Sequence, residues 1–426
     1  MDKELEKVRG FIKNYLEDKK LVNNILIIAA LLIVIFTINL FIARNLLGGE
    51  GFYIHWMGSK LLLRDKMSPY SERALQLINE EAKSYIFSDN SKNLIFISPI
   101  FSIIFYAPFV LITDFEIARA LWMTSLISIL IVTIFLLLKI LRWIPPIKTT
   151  ILIYICSTLN FFIVIGIMDG NLIILALLFI IAAYWFLINR KLELAGSMLA
   201  LSMITPQVVL IPITFIFILA GIHKKWGLYY WFLITLILLI LSSLLLSPKW
   251  PLEYLKVILL NRDKISILKP LNALKVWLRD IDQWSLYIFI AMPLLLLILE
   301  WKRIFQYKNG NLQFWGLCLT LLLGQMIWIR NDAGNFICLM PVILLIAYSW
   351  MNRNTSSGKL VSFFNLLIFP AQFLIILANN NLLLVSVKQI GFSLYFFPII
   401  YLLVNMYWIR GWIGQSIMPF LKDNSR

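Results

Sequence analysis

The chain is predicted to be an all-α polytopic membrane protein, and three observations carry that prediction. Of its 426 residues 61% are hydrophobic and only 14% charged, with a mean hydropathy of +0.86 that no soluble core of this length requires. Apolar runs recur along nearly the whole chain, several of them close to the roughly 20 residues that a spanning helix needs. The 38 basic residues outnumber the 22 acidic ones and fall in pairs between the runs, as on cytoplasmic loops facing anionic lipid rather than on a nucleic-acid surface. No polar stretch is long enough to bury a core of its own, so one membrane domain is expected.

The opening MDKELEKVRGFIKNYLEDKK carries both signs of charge, and the apolar run after it lacks a small-residue cleavage site. Residues 1–21 are therefore expected to form a cytoplasmic amphipathic segment before a signal-anchor span at 22–44. An outer loop, 45–93, follows. The run at 94–113 is interrupted by Pro99 and Pro108 and is expected to lie re-entrant or at the interface instead of crossing. Further runs fall near 117–140, 149–168, 172–188, 193–204, 207–221 and 226–246. A second outer loop, 247–284, reads as juxtamembrane helix: Leu255, Ile258, Leu259 and Arg262 share a face, with Trp250 and Trp277 suited to the headgroup level. Runs near 285–300, 312–329, 335–351, 360–378 and 387–404 complete a single transmembrane domain at 22–404, and 405–426 is expected as a cytoplasmic tail.

Lys and Arg set the orientation. Short loops carrying Arg142 and Lys148, Arg190 and Lys191, Lys224 and Lys225, Lys302, Arg303 and Lys308, and Arg353 and Lys359 are assigned to the cytoplasm. The loops at 169–171, 205–206, 330–334 and 379–381 hold a single basic residue, Arg330, and are assigned outward. With 94–113 non-spanning, about twelve crossings leave both termini inside, in a plasma-membrane protein.

What chemistry such a chain supports is narrowed by what it lacks. With only His55 and His223 there is no paired-histidine metal motif, and Cys156, Cys318 and Cys338 lie inside apolar runs without ligand spacing. No phosphate loop or dinucleotide fingerprint occurs, which argues against ATP-driven transport or a cytoplasmic nucleotide substrate. The outward-facing polar residues come instead from several loops: Glu50 and His55, Asp114 and Glu116 with Arg119, Asp169 and Asn171, Thr205 and Gln207, Arg262 to Lys264, and Arg330 to Asn335. A catalyst built from them uses carboxylates, cations and a lipid-borne substrate.

Four stretches, in order, carry a resemblance: "GFYIHWMGSKLLLRDKMSPY", "SPIFSIIFYAPFVLITDFEIARALW", "MDGNLIILALLFIIAAYWFLINRKLELAGSMLALSMITPQ" and "RNDAGNFICLMPVILLI". Over about residues 45–350 the chain resembles glycosyltransferase family 87, which includes polyprenyl-phosphate-mannose-dependent α-mannosyltransferases of the membrane-embedded C-type fold. The resemblance implies a C-type bundle with juxtamembrane helices on the outer face. It implies a polyprenyl-phosphate sugar as donor, a lipid or glycan hydroxyl as acceptor and transfer with inversion; no cofactor, metal or nucleic acid is called for. In that chemistry a carboxylate of the first outer loop removes the acceptor proton while cations hold the leaving phosphate.

Registering the first loop on "LLL" and "SPY" puts the family's acidic position at Gly51, with the carboxylate one place earlier at Glu50. Either Glu50 takes over as the base or this copy has lost one. His55 either orients a sugar hydroxyl or phosphate or is a satisfied interfacial residue. A Lys-Pro common in relatives is replaced by Thr205-Pro206-Gln207, so another cation must hold the phosphate: Arg330 first, because Arg grips phosphate through a planar fork, then Lys264 and Arg262, with Gln207 at the substituted position. Asn171 matches a family amide that either bonds the donor or caps the next helix. Arg119 is similar to a recurrent family Arg and is expected to pair with Asp114 or Glu116; Asp169, Asp332 and Asn335 complete the structural set. Two other classes stay open: a lipid-linked-sugar flippase or secondary transporter, and an inactive scaffold with the same fold.

Overall fold

The computed structural model describes residues 2–85, 94–260, 283–306, 309–327, 333–353, 355–378 and 392–415. Among them the chain is all-α, without a β-strand. Helix α1 (Asp2–Asn45) runs unbroken through the expected boundary at residue 21, since nothing in that stretch breaks a helix. Next come α2 (Glu50–Leu63) and α3 (Glu72–Ala82), then two short 3-10 helices, Ile100–Phe105 and Ala107–Leu111. Neither 3-10 helix is long enough to cross a bilayer. The chain continues as α4 (Phe115–Ile140), α5 (Ile147–Thr158), α6 (Phe161–Asp169), α7 (Ile173–Ile188), α8 (Leu192–Ser202), α9 (Pro206–Ile222), α10 (Trp226–Leu246) and α11 (Trp250–Leu260). Helices α12 (Gln283–Gln306) and α13 (Gly310–Ile327) precede a third 3-10 helix, Ala333–Leu339, which leads into α14 (Met340–Met351), α15 (Ser356–Ala378) and α16 (Phe392–Gln415). Helix α16 extends past residue 404, so the start of the expected tail is helical.

Among the described residues four helices are long and apolar enough to cross a membrane: Val22–Asn45, Phe115–Ile140, Trp226–Leu246 and Gly334–Met351. A fifth span results if α5 and α6, bent by 55° at Leu159–Asn160, count as one. Helices α7, α8 and α9 are apolar but shorter. Only 6% of the apolar part of α1 is buried, so that helix faces its surroundings almost all round. It joins the bundle near its end, where buried Asn39 donates to Thr124 Oγ1 of α4 at 3.0 Å. Helix α8 packs between α7 and α10, and α4 packs on α1 and α7. Most of α7, α13 and α14 is buried.

Basic residues close three of these helices in an unusual way. Arg142 after α4, Arg190 after α7 and Lys224 after α9 stand at φ of 50°, 61° and 52°, a left-handed cap that glycine normally takes. In each, the next residue's N–H reaches back over the last turn, as Lys191 does to Phe186 O at 2.9 Å and Lys225 to Ala220 O at 2.8 Å. The cationic side chain then sits at the negative end of the helix dipole.

Candidate functional site

The site forms where α2 begins. Gly48 and Gly49 take φ of 116° and 91°, turning the chain off α1 in a conformation that costs a side-chain-bearing residue strain. Gly49, the N-cap, has no side chain to satisfy the exposed amides of the first turn. Another helix supplies the acceptor: the N–H of Gly51 donates to Asp169 Oδ1, at the end of α6, at 2.9 Å. A side chain at residue 51 would crowd this contact, since its Cβ would stand 2.6 Å from Asp169 Oδ2 and 3.0 Å from Asp169 O. Glu50 is thus the first helical residue, partly exposed, next to a second carboxylate that touches the following residue.

Arg119, on the first turns of α4, is only 2% exposed. Its guanidinium donates to the carbonyls of Ala43 (3.3 Å), Leu46 (3.2 Å), Leu47 (3.5 Å) and Met168 (3.0 Å). The expected pairing with Asp114 or Glu116 gives way to this arrangement. Asp114 caps α4 by accepting from the Ile117 N–H at 3.0 Å, and Glu116, half-exposed, pairs with Arg44 at 3.3 Å. Buried inside the bundle, the arginine finds backbone carbonyls where those carboxylates do not reach. Asp169, Glu116 and Glu50 all remain within its electrostatic range.

His55, one turn along α2, is engaged at both ring nitrogens. Nδ1 lies 2.6 Å from Gly51 O, and a carbonyl only accepts, so Nδ1 carries the proton. Nε2 then accepts from Ser98 Oγ at 2.7 Å. The ring stacks on Tyr106, 4.9 Å between centroids at 12°. Surrounded in this way, the imidazole is pulled down to a pKa of about 4, the loss of hydration outweighing the Gly51 carbonyl. The structure therefore gives His55 the character of a satisfied interfacial residue, with no donor left for a sugar.

Tyr106 and Trp122, which the sequence does not single out, back the site. Tyr106 is fully buried, and its hydroxyl has no hydrogen-bond partner among the described residues. Burial, with the charge of Asp169 nearby, pushes its pKa well above that of a free tyrosine. Trp122 Nε1 donates to Gly170 O at 3.0 Å, and its ring packs on Phe52 and Tyr106. The advance signals for Tyr106 were the proline-interrupted run that holds it and its place in the second family-like stretch.

The third and fourth motifs arrive from α6, α7 and the 3-10 segment 333–339. Asn171 Oδ1, one residue before the α7 N-cap Leu172, accepts from the Ile173 N–H, the first amide of α7, at 3.0 Å. A Cβ at Gly334 would meet Asn171 Nδ2 at 2.3 Å, so backbone presses on amide there. Phe162 stacks on Phe336 at 4.8 Å, and Asn335 is buried beside it in sequence. Pro206 opens the first turn of α9 after a buried Thr205. Gln207 is exposed in that turn and makes none of the contacts that join the cluster. Arg330, Asp332, Lys264 and Arg262 lie outside the described residues.

Glu50, Asp169, Arg119 and Asn171 thus belong to one neighbourhood built from α2, α4, α6 and the start of α7, with His55 and Tyr106 behind it and the 333–339 segment, which holds buried Asn335, packed on Asn171. Two carboxylates at a helix start, over a buried guanidinium, suit proton removal from a hydroxyl. No family model, curated protein or solved structure matches the chain.

Proposed function

We propose that the protein is a membrane glycosyltransferase that moves a sugar, mannose by the resemblance, from a polyprenyl-phosphate donor to a lipid or glycan hydroxyl at the outer face of the plasma membrane. One observation supports this above others. The Gly51, Arg119 and Asp169 stretches, each from a different family-like motif, meet around the start of α2, and the Gly334 stretch of the fourth packs on Asn171 two residues after Asp169. The proposal includes a C-type bundle of about twelve crossings, counting shorter helices such as α7, α8 and α9 as crossings.

In the proposed reaction the acceptor oxygen attacks the anomeric carbon as the carbon–oxygen bond to the phosphate breaks. Glu50 takes the acceptor proton, and the polyprenyl phosphate leaves with the bonding pair on the opposite side, inverting the centre. General-base help of this kind contributes about 10²- to 10⁴-fold. Arg119 is too committed to backbone carbonyls to grip the phosphate, and that role is assigned to Arg330. The test is sugar transfer by purified protein in liposomes, from a panel of polyprenyl-phosphate sugars to membrane-lipid acceptors, with Glu50→Gln alongside. Transfer by the wild type, reduced at least 10²-fold in Glu50→Gln, is the expected result. Wild-type transfer that survives the substitution moves the base elsewhere, and no transfer from any donor by folded protein returns the site to the scaffold or transporter class.

A further inference from the structure

Gly51 and Asp169 stand 118 residues apart in sequence, yet each has the size or chemistry the other needs. A side chain at residue 51 would displace the Asp169 carboxylate from its place, and the carboxylate supplies the acceptor that the Gly49 cap cannot. The amide so held is not neutral ground. The N–H of Gly51 belongs to the same rigid peptide plane as the Cα and carbonyl of Glu50, so a 2.9 Å bond to it sets the direction in which Glu50 leaves the helix.

Asp169 is itself fixed from both sides. The carbonyl before it, Met168 O, accepts from Arg119, and the carbonyl after it, Gly170 O, accepts from Trp122. Gly170 turns left-handed at φ 80° to end α6 with Phe52 packed where its Cβ would be. The same Arg119 holds Leu46 and Leu47 just ahead of the Gly48–Gly49 turn. Helix α4 therefore holds both partners of the Asp169–Gly51 contact, and the carboxylate's charge suits the positive end of α2.

We propose that Asp169 is a positioning residue for Glu50: a cap reaching across from α6 that holds the first turn of α2 and aims the Glu50 carboxylate at the acceptor hydroxyl. This rests on the transferase reading, and the test separates the two. Asp169→Ala and Gly51→Ala each break the contact, whereas Asp169→Asn keeps an oxygen to accept the same N–H. In the liposome assay, kcat is expected to fall about 10²-fold in either alanine variant, the scale of a misplaced reacting group, with the donor KM little changed. The double variant falls no further than either single one, because both remove one contact. Asp169→Asn retains most of kcat, unlike Glu50→Gln.

Hydrogen exchange at the Gly51 amide provides a readout free of activity: protected in wild type and Asp169→Asn, fast in Asp169→Ala. A kcat for Asp169→Ala close to wild type overturns the proposal, and so does an amide that stays protected in that variant. Loss in Asp169→Asn as deep as in Glu50→Gln makes Asp169 a reacting group and overturns a purely positioning role. If the wild type transfers nothing, the transferase reading fails, and exchange alone judges the clamp.

Discussion

At His55 one carbonyl decides the chemistry. Gly51 O forces the proton onto Nδ1, and the lost hydration holds the ring neutral down to about pH 4. The unfolded chain takes up that proton near 6.5. Between those values the unfolded state binds more protons, so stability rises with pH across the window. The contribution is complete above about 6.5 and is lost as pH falls toward 4. Thermal unfolding in detergent from pH 4 to 8 should show this slope reduced in His55→Gln relative to wild type. Lys224 offers a second residue-scale test, since φ of 52° strains any side-chain-bearing residue. Lys224→Gly should raise stability by about 1 kcal/mol, read as an increase in Tm.

Among the elements, two polar clusters tie helices that are distant in sequence. Arg119 ties the end of α1 to the end of α6 through four carbonyls. A lysine there has one ammonium and cannot match the fork's geometry. Arg119→Lys strands some of those buried carbonyls, each at about 1–3 kcal/mol, and should lower Tm markedly while loosening the α1–α2 turn. Far along the chain, Glu300 of α12 bonds Arg410 of α16 at 2.9 Å, with Tyr407 also donating to it. The Glu300 side chain is 3% exposed, the partnering Arg303 61%. Glu300→Ala should cost about 1–3 kcal/mol, because it removes the buried acceptor that Arg410 and Tyr407 share, whereas Arg303→Ala should cost well under about 1 kcal/mol. Chemical or thermal unfolding of the three proteins checks the ranking.

For the whole molecule the number of crossings is tested at α8. Lys191 and Gln207 are both exposed and flank α8, whose 11 residues extend only about 16 Å against a hydrocarbon core of about 30 Å. The twelve-crossing reading puts them on opposite sides, which requires local thinning or support from neighbouring helices. With Cys156, Cys318 and Cys338 all buried, single cysteines at these two sites can be labelled over a low background. A membrane-impermeant maleimide should label Gln207→Cys on intact cells, and Lys191→Cys only after permeabilisation. Labelling of both from one side removes a crossing and with it the assigned orientation of the α6–α7 turn.

Composition and periodicity alone determine that this chain is helical and apolar enough for a membrane, because hydrophobicity and helix length are local properties of a segment. The proline-broken run at 94–113 was legible for the same reason, as was Asn171 as a residue able to cap α7. Glu50 was legible as a carboxylate in a polar stretch just past the first apolar run. What only the tertiary structure decided is which distant groups share space with it. Asp169 enters where Gly51 has no side chain, Arg119 passes over the acids near it in sequence for four carbonyls, and Tyr106 comes to lie behind His55. Such choices depend on burial and on which backbone groups lack partners, and neither exists until the helices have packed.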